Sequence, residues 1–180
     1  MVDHLQNQLP LLVPRLWRFA LRLTRHSDDA EDLVQRTCVR ALERRTQWQP
    51  GSNLLSWLFA IEHSIWMNEL RSAQRRRTAS LDSDTATALL DDTPSVGGDP
   101  ELHLHYTQVV AAVESLPEAQ RVVLVLVAVE GLSYREAADV LDIPIGTVMS
   151  RLARARCSVG QMFKSDAPFQ NQENPRHERR

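Results

Sequence analysis

Thr147, Ser150, Arg151 and Arg154 combine hydroxyl and guanidinium donors on one side of a short stretch. Within residues 145–156, IGTVMSRLARAR, the apolar Val148, Leu152 and Ala155 recur at i, i+4 and i+7 and leave those four on the opposite face of a helix. A guanidinium presents a planar fork that pairs two acceptors at once on a guanine edge or a phosphate. A helix carrying two such forks and two hydroxyls suits a major groove, where phosphate contacts position and base contacts specify. The same spacing also fits a bundle helix with a solvated arginine face.

A second set is Asn68, Arg71, Ser72 and Arg75, at i, i+3, i+4 and i+7, followed by Arg76 and Arg77, with Trp48, Trp57 and Trp66 upstream. Basic groups near aromatics suit melted single strands, whose bases stack or enter pockets. The alternative is that Trp57 and Trp66 are core residues and the arginines a solvated helix end. A third set is Asp29, Asp32, Gln35 and Arg36, with Arg40 and Glu43, opposite an apolar stripe of Ala30, Leu33, Val34, Thr37, Cys38, Ala41 and Leu42.

Catalytic and cofactor signatures are missing from the sequence. It contains no G-x-x-x-x-G-K-[ST], G-x-G-x-x-G or H-E-x-x-H. His103 and His105 are two apart and point to different faces of a helix, so they read as solvated rather than metal-binding. With no metal, cofactor or catalytic set, the chemistry on offer is binding.

The elements that must hold these residues are all helical. In the N-terminal block three helices are expected: Gln8 to Thr24, with Leu12, Leu16, Phe19, Ala20 and Leu23 inward; a second capped by Asp28 with Glu31 completing a capping box; and a third from Leu54 with Trp57, Leu58, Ile61, Ile65 and Leu70 as core. Pro50 and Gly51 break the loop 47–53. In the C-terminal block four are expected. Leu102, Tyr106, Val109, Val110 and Val113 mark the first, and Pro117 opens a second that ends at Gly131. Ser133 and Glu136 form a capping box for a short third, which ends near Leu141. After a turn at Asp142, Ile143 and Pro144, the fourth runs from Gly146 to Met162. Its Val148, Leu152 and Ala155 should pack on Ala137, Ala138 and Leu141, which makes a helix-turn-helix.

Composition divides the chain in the same place. Residues 78–100 are rich in Ser, Thr, Asp, Gly and Pro, the composition of a flexible linker. Residues 1–77 carry twelve basic and eight acidic side chains, 78–120 none basic and eight acidic, and 121–164 six basic and four acidic. The net charge of −2 therefore hides two mildly basic blocks around an acidic middle. The expected fold is all-α: two small helical domains, 1–77 and 101–164, with a disordered tail over 165–180. The densest apolar run, Val122 to Val129, is too short for a membrane span. The two cysteines, Cys38 and Cys157, lack metal or disulfide spacing. Cys38 on the apolar stripe reads as a small hydrophobe, Cys157 as more exposed. With no basic leader, a reducing cytoplasmic setting is expected.

The order of these stretches resembles the extracytoplasmic-function type of bacterial RNA polymerase sigma factor. DDAEDLVQRTCVRAL and LLSWLFAIEHSIWMNELRSAQRR are similar to the family's region two. SLPEAQRVVLVLVAVEGLSYREAADVLDIPIGTVMSRLARAR is similar to region four, with L-P-x-x-x-R, E-G-L-S-Y-x-E-x-A and G-T-V-x-S-R-L-x-R-A-R. The resemblance covers about residues 8–77 and 101–162. It implies a sigma factor that binds core RNA polymerase and directs promoter-specific initiation. By position, Asp29, Asp32, Gln35 and Arg36 would dock on the clamp helices of the largest subunit. Gln49, Ser52 and Asn53 would border a pocket for a flipped minus-ten base, and Asn68, Arg71, Arg75 and Arg76 would hold the strands. Arg135, Thr147, Ser150, Arg151 and Arg154 would read the minus-thirty-five duplex. The implied partners are core polymerase, including its flap, promoter DNA and an anti-sigma factor, with no cofactor and no enzymatic activity. One departure stands out: where the family often has Ala-Arg-Asn after the central isoleucine, Ile61 is followed by Glu62, His63 and Ser64. An acid there would either alter promoter preference or face solvent.

Overall fold

A computed structural model describes residues 2–79 and 100–165. The expected linker core and tail, 80–99 and 166–180, lie outside the described residues, as do the side chains of Arg77, His103 and His105. The described residues contain helices and no strand. Helix α1 spans Val2–Thr24, α2 Ser27–Glu43, α3 Leu54–Ala79, α4 Pro100–Glu114, α5 Glu118–Leu124, α6 Tyr134–Leu141 and α7 Ile145–Ser165. A 3-10 turn, Arg45–Gln47, precedes the loop to α3, and a π-turn, Val125–Val129, extends α5.

In the N-terminal half α1, α2 and α3 pack together because each supplies an apolar stripe of helical period. Leu16, Phe19, Ala20, Ala30, Leu33, Leu58 and Phe59 are fully buried. The Phe19 and Phe59 rings meet with centroids 4.8 Å apart at 58°, a tilted geometry that aromatic quadrupoles favour. Each of the buried Leu and Phe side chains contributes about 1.5–3 kcal/mol of burial free energy. The α2 stripe behaves as its spacing demands: Ala30, Leu33, Val34, Thr37 and Ala41 are buried and Cys38 and Leu42 half-buried. Thr37 satisfies its hydroxyl by donating to the Leu33 carbonyl at 2.8 Å. Trp57 is half-buried against this core and Trp48 buried. Leu55 and Phe59, which the sequence reading left out of the core, are buried too.

Several boundaries differ from expectation. Helix α1 begins at Val2, six residues early, and carries Pro10 and Pro14 inside it. Asp28 does not cap α2. The N-cap is His26, without a side-chain cap bond, and Asp28 and Asp29 sit in the first turn. The cause is a tight reversal in which Arg25 takes a left-handed φ of 63°. There the Thr24 hydroxyl donates to the His26 carbonyl at 3.0 Å, so the helix starts before Asp28. The acids instead meet the positive end of the helix dipole.

In the C-terminal half Pro117 is the N-cap of α5 rather than its first residue. The expected single helix to Gly131 widens after Leu124 into the π-turn, closed by the Glu130 amide donating to the Val125 carbonyl at 2.9 Å. The turn after it is left-handed, with Gly131 at φ 75°. Arg121 of the L-P-x-x-x-R signature is buried and donates to the carbonyls of Glu114 and Leu116, both at 3.4 Å. It thereby fastens the end of α4 to α5. Tyr106 and Val109, which mark α4 in the sequence, are exposed, whereas Ala112 and Leu116 are buried. The Ser133–Glu136 capping box is complete, and Asp142 makes the turn into α7 in the left-handed region at φ 52°.

Candidate nucleic-acid interface

The helix-turn-helix is formed by α6 and α7. Val148, Leu152 and Ala155 of α7 are buried, as are Ala137, Ala138 and Leu141 of α6. On the other side of α7, Ser150 and Arg154 are exposed and Thr147 and Arg151 half-buried. The Ser150 hydroxyl donates back to the Thr147 carbonyl at 3.1 Å, which satisfies it within the helix and leaves its lone pairs outward. Arg135 is exposed on α6.

On α3, Asn68, Arg71, Arg75 and Arg76 are exposed. Arg71 donates to the Asn68 side chain at 3.4 Å and Arg75 to the Ser72 hydroxyl at 3.2 Å, so the row is braced along the helix. Asn68 also borders a groove of about 330 Å³ shared with Gln35, Arg36, Val39, Arg40 and Glu43 of α2. The candidate polymerase-docking and minus-ten residues are therefore continuous on one side of the N-terminal half. Asp29, Asp32, Gln35 and Arg36 are exposed together. Arg36 pairs with Asp32 at 3.3 Å and with Glu69 of α3, which fixes the fork between the two helices.

The loop residues behave differently from one another. Gln49 and Ser52 are exposed, and both the Ser52 amide and hydroxyl donate to the Gln49 carbonyl, at 3.0 and 2.7 Å. Gly51 takes φ 91° to close this turn. Asn53 is the cap of α3: its Oδ1 accepts from the amides of Leu55 and Ser56 at 3.1 and 3.2 Å, as N-cap residues do. Its Nδ2 donates across to Glu136 at 2.6 Å. The structure thus gives the Asn53 side chain three partners within the chain.

That last bond belongs to a seam between the halves which sequence reasoning missed. Arg15 of α1 donates to the Glu130 carboxylate and to its carbonyl, both at 2.8 Å. Arg22 pairs with Glu114, and Arg25 donates to the Glu114 carbonyl at 2.9 Å. The Trp66 indole donates to Glu118 at 3.1 Å. Four acids of the C-terminal half thus meet donors of the N-terminal half. A cleft of about 460 Å³ runs along the seam, and Arg71 of α3 and Arg151 of α7 both line it, with His63, Leu70, Glu118 and Ile143. In this closed arrangement two residues expected to meet different DNA elements border the same cleft.

Burial and charge set the titration of this region. Ser133 holds the Glu136 carboxyl below the ordinary glutamate range through hydrogen bonds from its backbone and hydroxyl, with a further bond from Asn53. Burial lowers His63, Glu118 opposes that and Arg71 adds to it. Of the two alternatives open for Glu62, facing solvent is ruled out: it is fully buried, and burial, with the charge of Glu130, pushes its carboxyl well above the ordinary range. Cys38 is half-buried and Cys157 exposed, both as free thiols. Burial, and then the Glu62 charge, raise the Cys38 thiol. No group of three or more metal-ligating side chains occurs among the described residues. No helix among them is long and apolar enough to cross a membrane.

Comparison with known proteins adds the family context. The Sigma-70 region 2 family model matches residues 11–76 and the Sigma-70, region 4 model residues 106–156. The ECF RNA polymerase sigma factor EcfG of Rhodopseudomonas palustris is 35% identical over 166 residues, covering 92% of this chain and 88% of that protein. Among solved structures, the sigma factor RpoE of Bartonella quintana, crystallised with the anti-sigma factor NepR, superposes with a TM-score of 0.75 at 31% identity. That match covers 93% of this chain and all of that one. CnrH, in complex with the cytosolic domain of CnrY, superposes at 0.57 with 25% identity over 90% of this chain and 91% of that one.

Proposed function

Because the chain belongs to the ECF sigma factors of RNA polymerase, we propose that it divides promoter recognition between its two halves and must open to do so. As a sigma factor it directs promoter-specific transcription initiation. The N-terminal half, α1 to α3, docks on the clamp helices of the polymerase's largest subunit through Asp29, Asp32, Gln35 and Arg36. Gln49, Ser52, Asn53, Asn68, Arg71, Arg75 and Arg76 then engage the minus-ten strands. The C-terminal half, α4 to α7, sits at the flap. It presents Arg135, Thr147, Ser150, Arg151 and Arg154 to the minus-thirty-five duplex.

The observation that carries this reading is the shared cleft of Arg71 and Arg151. At that cleft a duplex held by Arg151 and a melted strand held by Arg71 would compete for one space of about 460 Å³. The free chain is therefore an inactive form, and binding to polymerase selects the parted one. A chain of net charge −2 also has little electrostatic affinity for DNA by itself, which suits delivery by a large partner in the cytoplasm. The closed form is one an anti-sigma factor can hold, as NepR accompanies the Bartonella protein. In this reading the chain catalyses nothing itself; the polymerase does.

Run-off transcription with core polymerase tests the reading. Promoter-dependent transcript is expected only when the chain is added. Equal transcript with and without it would refute the proposal.

A further inference from the structure

Glu62 lies in the middle of α3, fully buried, with neither carboxylate oxygen hydrogen-bonded. Its surroundings come from both halves. Its charge is within electrostatic reach of Cys38 of α2, in the N-terminal half, and of Glu130, at the end of the π-turn, in the C-terminal half. Glu130 is itself buried, and its charge is taken up by Arg15 of α1. No basic side chain forms an ion pair with Glu62 among the described residues. One turn further along α3, Trp66 reaches Glu118 across the same seam. Glu62 thus stands where the core of one half meets the acids of the other.

An ionised carboxylate in such a place would lack both a counter-charge and a donor, a cost of several kcal/mol. A neutral carboxyl avoids most of that cost. Parting the halves removes Glu130 and opens this junction to water, where the ionised form is cheap. We propose that Glu62 is a proton-operated latch between the halves: the neutral carboxyl is admitted to the closed seam, and its ionisation drives the seam open.

The closed form then binds one proton more than the open form between the ordinary glutamate pKa and the raised value set by burial and Glu130. Closure is favoured below that window and is lost as pH rises through it. The open-to-closed ratio climbs by up to about tenfold per pH unit inside it. His63 acts with the opposite sign. Burial lowers it in the closed form, so its protonation on acidification favours opening. Glu136, held low in the closed form, also favours opening when it is protonated. Among the carboxyl and imidazole groups at the seam, only Glu62 makes rising pH an opening signal; the raised Cys38 thiol acts with the same sign, but only above the ordinary thiol range.

Small-angle X-ray scattering of the full chain across pH 5 to 8.5 tests the latch, comparing wild type with Glu62→Gln. The amide keeps the shape and cannot ionise. The wild-type radius of gyration should rise with pH, whereas Glu62→Gln should stay compact at the alkaline end. A flat wild-type curve, or one that Glu62→Gln reproduces, overturns the proposal. A direct titration of the wild type by carboxyl carbon-13 NMR keeps the test decisive even if the variant misfolds. The buried carboxyl resonance should titrate well above the ordinary glutamate range. Finding every glutamate resonance in the ordinary range overturns the latch.

Discussion

The core inside the N-terminal half and the seam between the halves are built on different terms. Inside, Phe19, Phe59, Leu16, Leu33 and Leu58 interdigitate with no exposed area. At the seam, apolar contacts share the boundary with Arg15–Glu130, Arg22–Glu114, Trp66–Glu118 and Asn53–Glu136. Clefts of about 460 and 300 Å³ remain beside them. Dense apolar packing is lost only by unfolding. Polar pairs at a partly wet boundary exchange for water at little net cost. Buried apolar residues of the two halves form one cluster, so under the proposed function the two bodies would keep their shape while the polar part of the contact between them gives way first. Asp29, Asp32, Gln35 and Arg36 of α2 are exposed in the closed arrangement, so under the proposed function polymerase would engage them before the seam parts.

The largest expected effect breaks the core side of this contrast. Phe59→Ala removes a buried ring and its partner contact with Phe19, and should cost about 3–5 kcal/mol of stability. Chemical denaturation monitored by circular dichroism measures it. A loss below about 1 kcal/mol would mean that the N-terminal core is as loose as the seam.

Next in size is the accessible face. Replacing Asp32, Gln35 and Arg36 together by alanine should weaken core-polymerase binding by about 30-fold or more, a hot-spot effect of roughly 2 kcal/mol. The melting curve should hardly change, since the Arg36–Asp32 and Arg36–Glu69 pairs are solvent-exposed in part. Fluorescence anisotropy with labelled chain reads the affinity.

The two DNA-facing rows should then separate. Arg151→Ala should reduce initiation by roughly 5- to 150-fold if the guanidinium reads a guanine, about 1–3 kcal/mol. A phosphate contact would instead weaken all sequences alike. Asn68→Ala with Arg71→Ala should recover much of its activity on a template already melted across the minus-ten region, whereas Arg151→Ala should not. The opposite pattern of rescue would exchange the two assignments.

The smallest effect sharpens the seam itself. Asn53→Ala loses the α3 cap, worth about 1 kcal/mol, and the bond to Glu136. Glu136 has a depressed pKa, so the stability it lends is present above the ordinary glutamate value and is lost as pH falls through the lowered one. Without Asn53 the carboxyl is held less low, so that acid loss should be smaller and should end at a higher pH. Melting temperatures of both chains from pH 6 down to 3 would show the displacement.

Much of this was legible in the residues. The seven-position stripe of α2, the Ser133–Glu136 box and the Val148, Leu152, Ala155 face each follow from a helical period or a local hydrogen bond, and all are present. The cap of α2 was misread because Thr24 and Arg25 make a reversal that no periodicity encodes. The π-turn was missed because an apolar run of valines and leucines looks the same in α and π coil. The exposed rows on α2, α3 and α7 could be located as faces, but not their placement relative to each other. Which acid meets which donor across the seam depends on contacts more than fifty residues apart in sequence, such as Trp66 with Glu118. Whether Glu62 faces solvent was open in the sequence for the same reason: its burial depends on packing that no local pattern encodes.

The claim at the centre of this account is that the closed arrangement must part before the chain can initiate transcription. Arg22 and Glu114 touch across the seam and belong to neither DNA-facing row. In a chain with Cys38→Ala and Cys157→Ser, the changes Arg22→Cys and Glu114→Cys allow the halves to be bridged by a cleavable bis-maleimide. Run-off transcription with core polymerase should be abolished in the bridged chain and restored when the bridge is cut. A bridged chain that transcribes as well as its cleaved form would contradict the account.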